Sequence, residues 1–97
     1  MRIKAKAKGD YTEVKVMFKH PMLSYREAKK KGKKADFITY VTATVDNEKV
    51  LEVSTSQFLS KNPYMKFKFK GNAKGKEIVI TWVDLLGKTK TGKAKIK

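Results

Sequence analysis

The chain has no cysteine, two prolines, one histidine, and only two arginines (Arg2 and Arg26) among its 24 basic residues. Each scarcity closes off a class of function. Without cysteine there is no disulfide framework, thiolate nucleophile, covalent thiol carrier or cysteine-based zinc site. A lone histidine cannot anchor a conventional zinc centre, which draws on several His, Cys or carboxylate ligands. Nothing resembles a nucleophile elbow or an S-x-x-K motif, so acyl-transfer chemistry lacks its machinery. Arginine forks onto guanine edges and phosphate, and its near absence argues against sequence-specific nucleic-acid readout. No apolar run reaches the roughly 20 residues a membrane helix needs. Met1 to Lys8 alternates apolar and basic residues, so no signal stretch is expected.

What is abundant is positive charge, a net +15 over 97 residues. Three kinds of partner follow from it: nucleic acid, an anionic membrane, or an acidic protein. A lysine-rich surface also suits adaptation to high temperature. The length fits one domain, 1–97. With 40% hydrophobic and 10% aromatic residues, that domain can build one modest core without staples.

Period-two alternation runs through most of the chain, the mark of half-buried strands. Arg2 to Lys8 and Val14 to Phe18 flank a Gly9-Asp10 turn and read as a first hairpin, which Pro21 ends near His20. Phe37 to Val45, Lys49 to Thr55, Met65 to Lys70, Glu77 to Asp84 and Thr89 to Ile96 are the remaining strands, with a polar connection over Ser56 to Pro63. Residues 23–36 break the pattern. Their lysine run lacks an apolar stripe, so a mobile, solvated basic loop is expected there, with one helical turn at most over Tyr25 to Lys29. Seven short strands at this spacing predict an all-β, immunoglobulin-like antiparallel sandwich, with a five- or six-stranded barrel as the competing architecture.

Several segments look functional and have a plainer reading. His20 with Met17 and Met22 offers soft ligands for copper(I), but methionine is usually a packing residue and no metal or other cofactor is expected. Gly71-Asn72-Ala73-Lys74-Gly75 joins two strands, whereas a phosphate-binding loop needs a following helix. Lys66 to Lys70 interleaves lysine with phenylalanine as single-strand nucleic-acid binders do. Alternation, however, turns Phe67 and Phe69 to the face opposite the lysines. Trp82 shares a face with Ile78 and Ile80 and reads as a core anchor.

Two strands are apolar on both faces, although only one face of a sandwich sheet meets the core. If they are neighbours, Ile38, Tyr40, Val79 and Val83 form an exposed apolar patch, which on so charged a chain reads as a protein interface.

In chain order, His20-Pro21-Met22, Phe37-Ile38 with Val41-Thr42-Ala43, Ser60-Lys61-Asn62-Pro63, Phe67 to Gly71, and Thr81-Trp82-Val83-Asp84 with Gly87 together resemble the SoxZ family. That family supplies the cysteine-free subunit of the SoxYZ carrier complex of bacterial thiosulfate oxidation. The resemblance implies an immunoglobulin-like sandwich without catalytic residues, paired as a heterodimer with a SoxY subunit whose cysteine carries sulfur intermediates. It further implies transient docking of other sulfur-oxidation enzymes. It also implies a periplasmic location, reached by export with the signal-bearing partner. Ile38, Tyr40, Val79 and Val83 are then the expected partner face, and His20, Pro21, Met22, Asn62 and Pro63 line one end of the sandwich. The alternative function is a basic β-domain that binds nucleic acid through its lysines, which predicts affinity falling steeply with salt.

Overall fold

Lysine alternating with small apolar residues makes β1 (Arg2–Lys8) and β2 (Tyr11–Met17) an antiparallel hairpin, turned at Gly9 with φ 71°. The computed structural model describes residues 1–55 and 61–97. Within these it places β3 (Ile38–Val45), β4 (Glu48–Ser54), β5 (Tyr64–Lys70), β6 (Glu77–Asp84) and β7 (Thr89–Lys95), and one helix, α1 (Tyr25–Lys31). The strands form two antiparallel sheets, β1-β2-β5 and β4-β3-β6-β7. This is the seven-stranded immunoglobulin-like sandwich, with the fourth strand on the larger sheet; no barrel closes. Asp46 and Asn47, both at positive φ, join β3 to β4 in the two-residue turn that matches strand twist.

The core lies between the sheets. Ile3, Ala5, Val14, Val16, Met65, Phe67 and Phe69 face it from one side, and Val41, Ala43, Ile78, Ile80 and Trp82 from the other. The inward phenylalanines and Trp82 follow the alternation, as expected. Each fully buried Val, Ile or Phe contributes about 1.5–3 kcal/mol, so these rows hold the two layers together. Thr12 is buried among them because its hydroxyl is satisfied: it donates to Gly71 O at 2.8 Å and accepts from Ala73 N at 3.1 Å. At the far end of the chain, Lys97 N donates to Ala5 O and Ala7 N to Lys97 O, so the last residue extends the edge of β1.

Residues 23–36 differ from the expected loop. Their ends are tied by reciprocal Leu23–Asp36 backbone hydrogen bonds, and between them α1 makes two turns. The helix exists because its termini are capped, not because it is amphipathic; Ala28 is its only buried residue. Ser24 Oγ accepts from Glu27 N at 3.2 Å, and Gly32 takes the left-handed conformation that ends the helix. Lysines 29–31 fall in the last turn, where positive charge opposes the carbonyl ends favourably. Ser24→Ala is expected to weaken α1 by about 1 kcal/mol. Amide exchange at Glu27 and Ala28 should quicken while the thermal midpoint of the sandwich stays nearly unchanged.

Candidate functional site

β3 and β6 are hydrogen-bonded neighbours at the centre of the larger sheet, so their outward rows lie side by side. Tyr40, Thr42 and Thr44 stand opposite Val83, Thr81 and Val79 in register. All six are half-buried and none carries a charge. Thr81 also meets Thr91 of β7 through a 3.0 Å hydroxyl pair. Charge returns on both flanks: on β7, where Lys93 stands opposite Val79, and on β4, where Lys49 Nζ lies 2.7 Å from Glu52 Oε2. The Tyr40 hydroxyl donates to the same Glu52, and that bond raises the phenol above its ordinary range.

Ile38 does not belong to this face. The β3–β6 register slips between Ile38 and Tyr40, placing Thr39 in a bulge, so the alternation is broken by one residue. Thr39 Oγ1 donates to Val83 O, and Thr55 Oγ1 to Ile38 O, which fix the irregular stretch. Ile38 therefore turns inward and is 1% exposed. The apolar face comprises Tyr40, Val79 and Val83, with the threonines between them.

The end where β2 leaves and β3 begins gathers the other expected residues. His20 N donates to Asn62 Oδ1 at 3.0 Å, Asn62 N to His20 O at 2.9 Å, and Phe18 N to Pro63 O at 2.9 Å. His20, Pro21, Met22, Asn62 and Pro63 are thus brought together as expected, while Ser60 falls outside the described residues. Only Pro21 and Asn62 are exposed. His20, Met22 and Pro63 are buried and cannot reach a partner; they brace the loops instead. Met22, at φ 50°, directs its sulfur to the Ile38 amide at 3.3 Å. Met17 is 45% exposed on β2.

Behind these loops lies a charge cluster that sequence reasoning missed. His20 Nδ1 accepts the Met22 amide at 3.0 Å, so in the neutral ring the proton sits on Nε2, which donates to Asp84 Oδ2 at 3.2 Å. Asp36 Oδ2 is 3.7 Å from the same Nε2, and Lys88 Nζ spans the two carboxylates at 3.2 Å (Asp36) and 3.8 Å (Asp84). The Trp82 ring meets His20 edge-on with centroids 5.1 Å apart. His20, Asp36 and Asp84 have a metal-like spacing, with ligand atoms within 4.8 Å of one another. Their bonding is not metal-like. The Nε2 lone pair is occupied by a proton, and the Lys88 ammonium already supplies the cation. The cluster ties β2, β3, β6 and the β6–β7 turn into one rigid end.

Burial pushes the Asp84 carboxyl up, but hydrogen bonds from His20 and the Lys88 amide, with the Lys88 charge, outweigh this and hold it below the ordinary aspartate range. A carboxyl lowered in the folded state stabilises fully above its unfolded value and loses that stabilisation as pH falls through the folded one. The chain should therefore keep its stability down to about pH 4 and lose it below. Urea midpoints measured from neutral pH into acid should show this fall, and Asp84→Asn should flatten it.

Fold and site together define an immunoglobulin-like sandwich with an uncharged double row at the middle of its larger sheet and one end pinned by buried charges. The chain belongs to the SoxZ family: the model of "Sulphur oxidation protein SoxZ" matches residues 1–95 of its 97. It is a sulfur-oxidation protein. No curated protein matches it. Among the described residues, no helix is long and apolar enough to cross a membrane.

Proposed function

We propose that this chain is the non-catalytic subunit of a sulfur-carrier heterodimer, pairing with a SoxY-type subunit whose cysteine bears the sulfur intermediates. The family match supports the assignment to sulfur oxidation, and the observation that carries the pairing is the uncharged double row on β3 and β6. A chain with net +15 leaves Tyr40, Thr42, Thr44, Val79, Thr81 and Val83 without a single charge at the centre of an open sheet. Apolar surface with polar groups at its rim is the surface of a protein interface. Having no cysteine, the chain leaves covalent sulfur chemistry to its partner. Pro21 and Asn62, held on the braced end, are the contacts for enzymes that visit the carrier. The complex works in the periplasm, exported on the partner's signal.

Native mass spectrometry of the chain co-expressed with a SoxY-type subunit tests the pairing. The expected species is a one-to-one complex that survives moderate salt, as an apolar interface should. Dissociation into free subunits under those conditions would remove the carrier-subunit reading.

A further inference from the structure

The smaller sheet has an outer face of opposite chemistry. Its cross-strand rows read Lys4–Lys15–Lys66, Lys6–Glu13–Lys68 and Lys8–Tyr11–Lys70, with Arg2–Met17–Tyr64 at the end. Arg2 and the seven lysines of these rows face one carboxylate, Glu13. That carboxylate is shared by Lys8, Lys15 and Lys66 at 3.6, 3.8 and 3.7 Å, and their attraction overcomes its partial burial and lowers its pKa. Lys95 and Lys97 extend the basic surface around a hollow of about 540 Å³ beside β1.

Like charges directly opposite one another destabilise a sheet, so the Lys4–Lys15–Lys66 row works against the fold. Thermal adaptation does not account for it, because the ion-pair networks that help at high temperature mix both signs. Solubility is likewise served by interspersed charges rather than a single-sign field. A field of one sign on one face steers an oppositely charged partner.

We propose that the outer face of β1-β2-β5 is a docking surface for an acidic protein. It lies on the far side of the sandwich from Tyr40 and Val83, so both faces can be occupied at once. Three features favour a protein over a nucleic acid. The cations are lysines, apart from Arg2 at the edge, and lysine grips phosphate as a point charge where arginine forks. A carboxylate sits in the middle of the face. The aromatics do not form a stacking ladder: Lys68 Nζ covers the Tyr11 ring at 5.3 Å, and Tyr64 stands at the end row. Lysines repeat about 6.8 Å apart along β1 and β5, a spacing that acidic side chains on an extended segment can match.

The test compares binding of poly-L-glutamate and of oligo-dT of equal charge, by fluorescence anisotropy at two ionic strengths. Two triple variants have the same net charge: Lys4→Gln/Lys15→Gln/Lys66→Gln on the face, and Lys30→Gln/Lys31→Gln/Lys33→Gln on α1 and the loop after it. The face variant should lose about tenfold or more in affinity for poly-L-glutamate, while the α1 variant stays near the parent. The face variant should also melt no lower than the parent, since relief of like-charge repulsion offsets any lost packing. Equal losses in both variants would mean that net charge alone binds, and would overturn the proposal. Tighter binding of oligo-dT than of poly-L-glutamate, weakened by Tyr64→Ala, would overturn it in favour of nucleic acid.

Discussion

With Tyr40 and Val83 both replaced by aspartate, the chain is expected to remain folded and to stop pairing with a SoxY-type subunit. The two residues sit directly opposite each other across β3 and β6, as the largest cross-strand apolar pair of the uncharged double row, at its bulged end. A few well-buried anchors, tyrosine prominent among them, carry most of an interface's energy, about 2 kcal/mol or more each when lost. An aspartate there must in addition be desolvated without a partner. Together the substitutions should weaken the complex by roughly a thousandfold, which native mass spectrometry would read as free subunits. Because two aspartates facing each other also repel within the sheet, the single Val83→Asp variant is the check on folding. It should retain the circular dichroism and melt of a β-sandwich and still lose most of the affinity. A double variant that co-purifies with the partner would place the interface elsewhere.

Asp84→Ala should cost about 3 kcal/mol or more of stability, because it leaves two buried donors unsatisfied at about 1–3 kcal/mol each. Asp84 Oδ2 is the acceptor for His20 Nε2, and Oδ1 accepts the Lys88 amide at 2.8 Å, so one truncation strands two donors. The loss should appear in the urea midpoint at neutral pH, where the parent carboxylate is ionised. Lys88→Met is the comparison: its side chain is 64% exposed, and solvent already screens much of its attraction. Its effect should be small. If the two variants were equally destabilised, Lys88 rather than the His20–Asp84 bond would be what holds the end.

Where alternation is strict, the strands were legible. Arg2–Lys8 and Tyr64–Lys70 each place one chemistry inward and the other outward, and the structure follows them residue by residue. Two departures have local causes. Counting by twos through Phe37 to Val45 put Ile38 on the outer face, because a bulge at Thr39 carries no sequence mark. The helix was hidden because its lysines lack an apolar stripe, although its signals, Ser24 three residues before Glu27 and Gly32 after Lys31, are present in the sequence. The charge cluster was illegible for a different reason. His20 and Asp84 are 64 residues apart and each looks like an ordinary turn residue until the sheets bring them together. Tyr40, Val79 and Val83 keep the outward row that counting by twos gives them, because they lie on the regular side of the bulge.

The backbone of Lys97 occupies Ala5 O and Ala7 N, groups that an edge strand would otherwise offer to any extended chain. The hairpin that opens the sequence is therefore closed to further strand addition at its middle. Its flanking lysines discourage what remains. Even when the chain accumulates in the cell, β1 is a poor seed for fibrils. Two backbone hydrogen bonds from one residue thus act as a safeguard against aggregation through this edge.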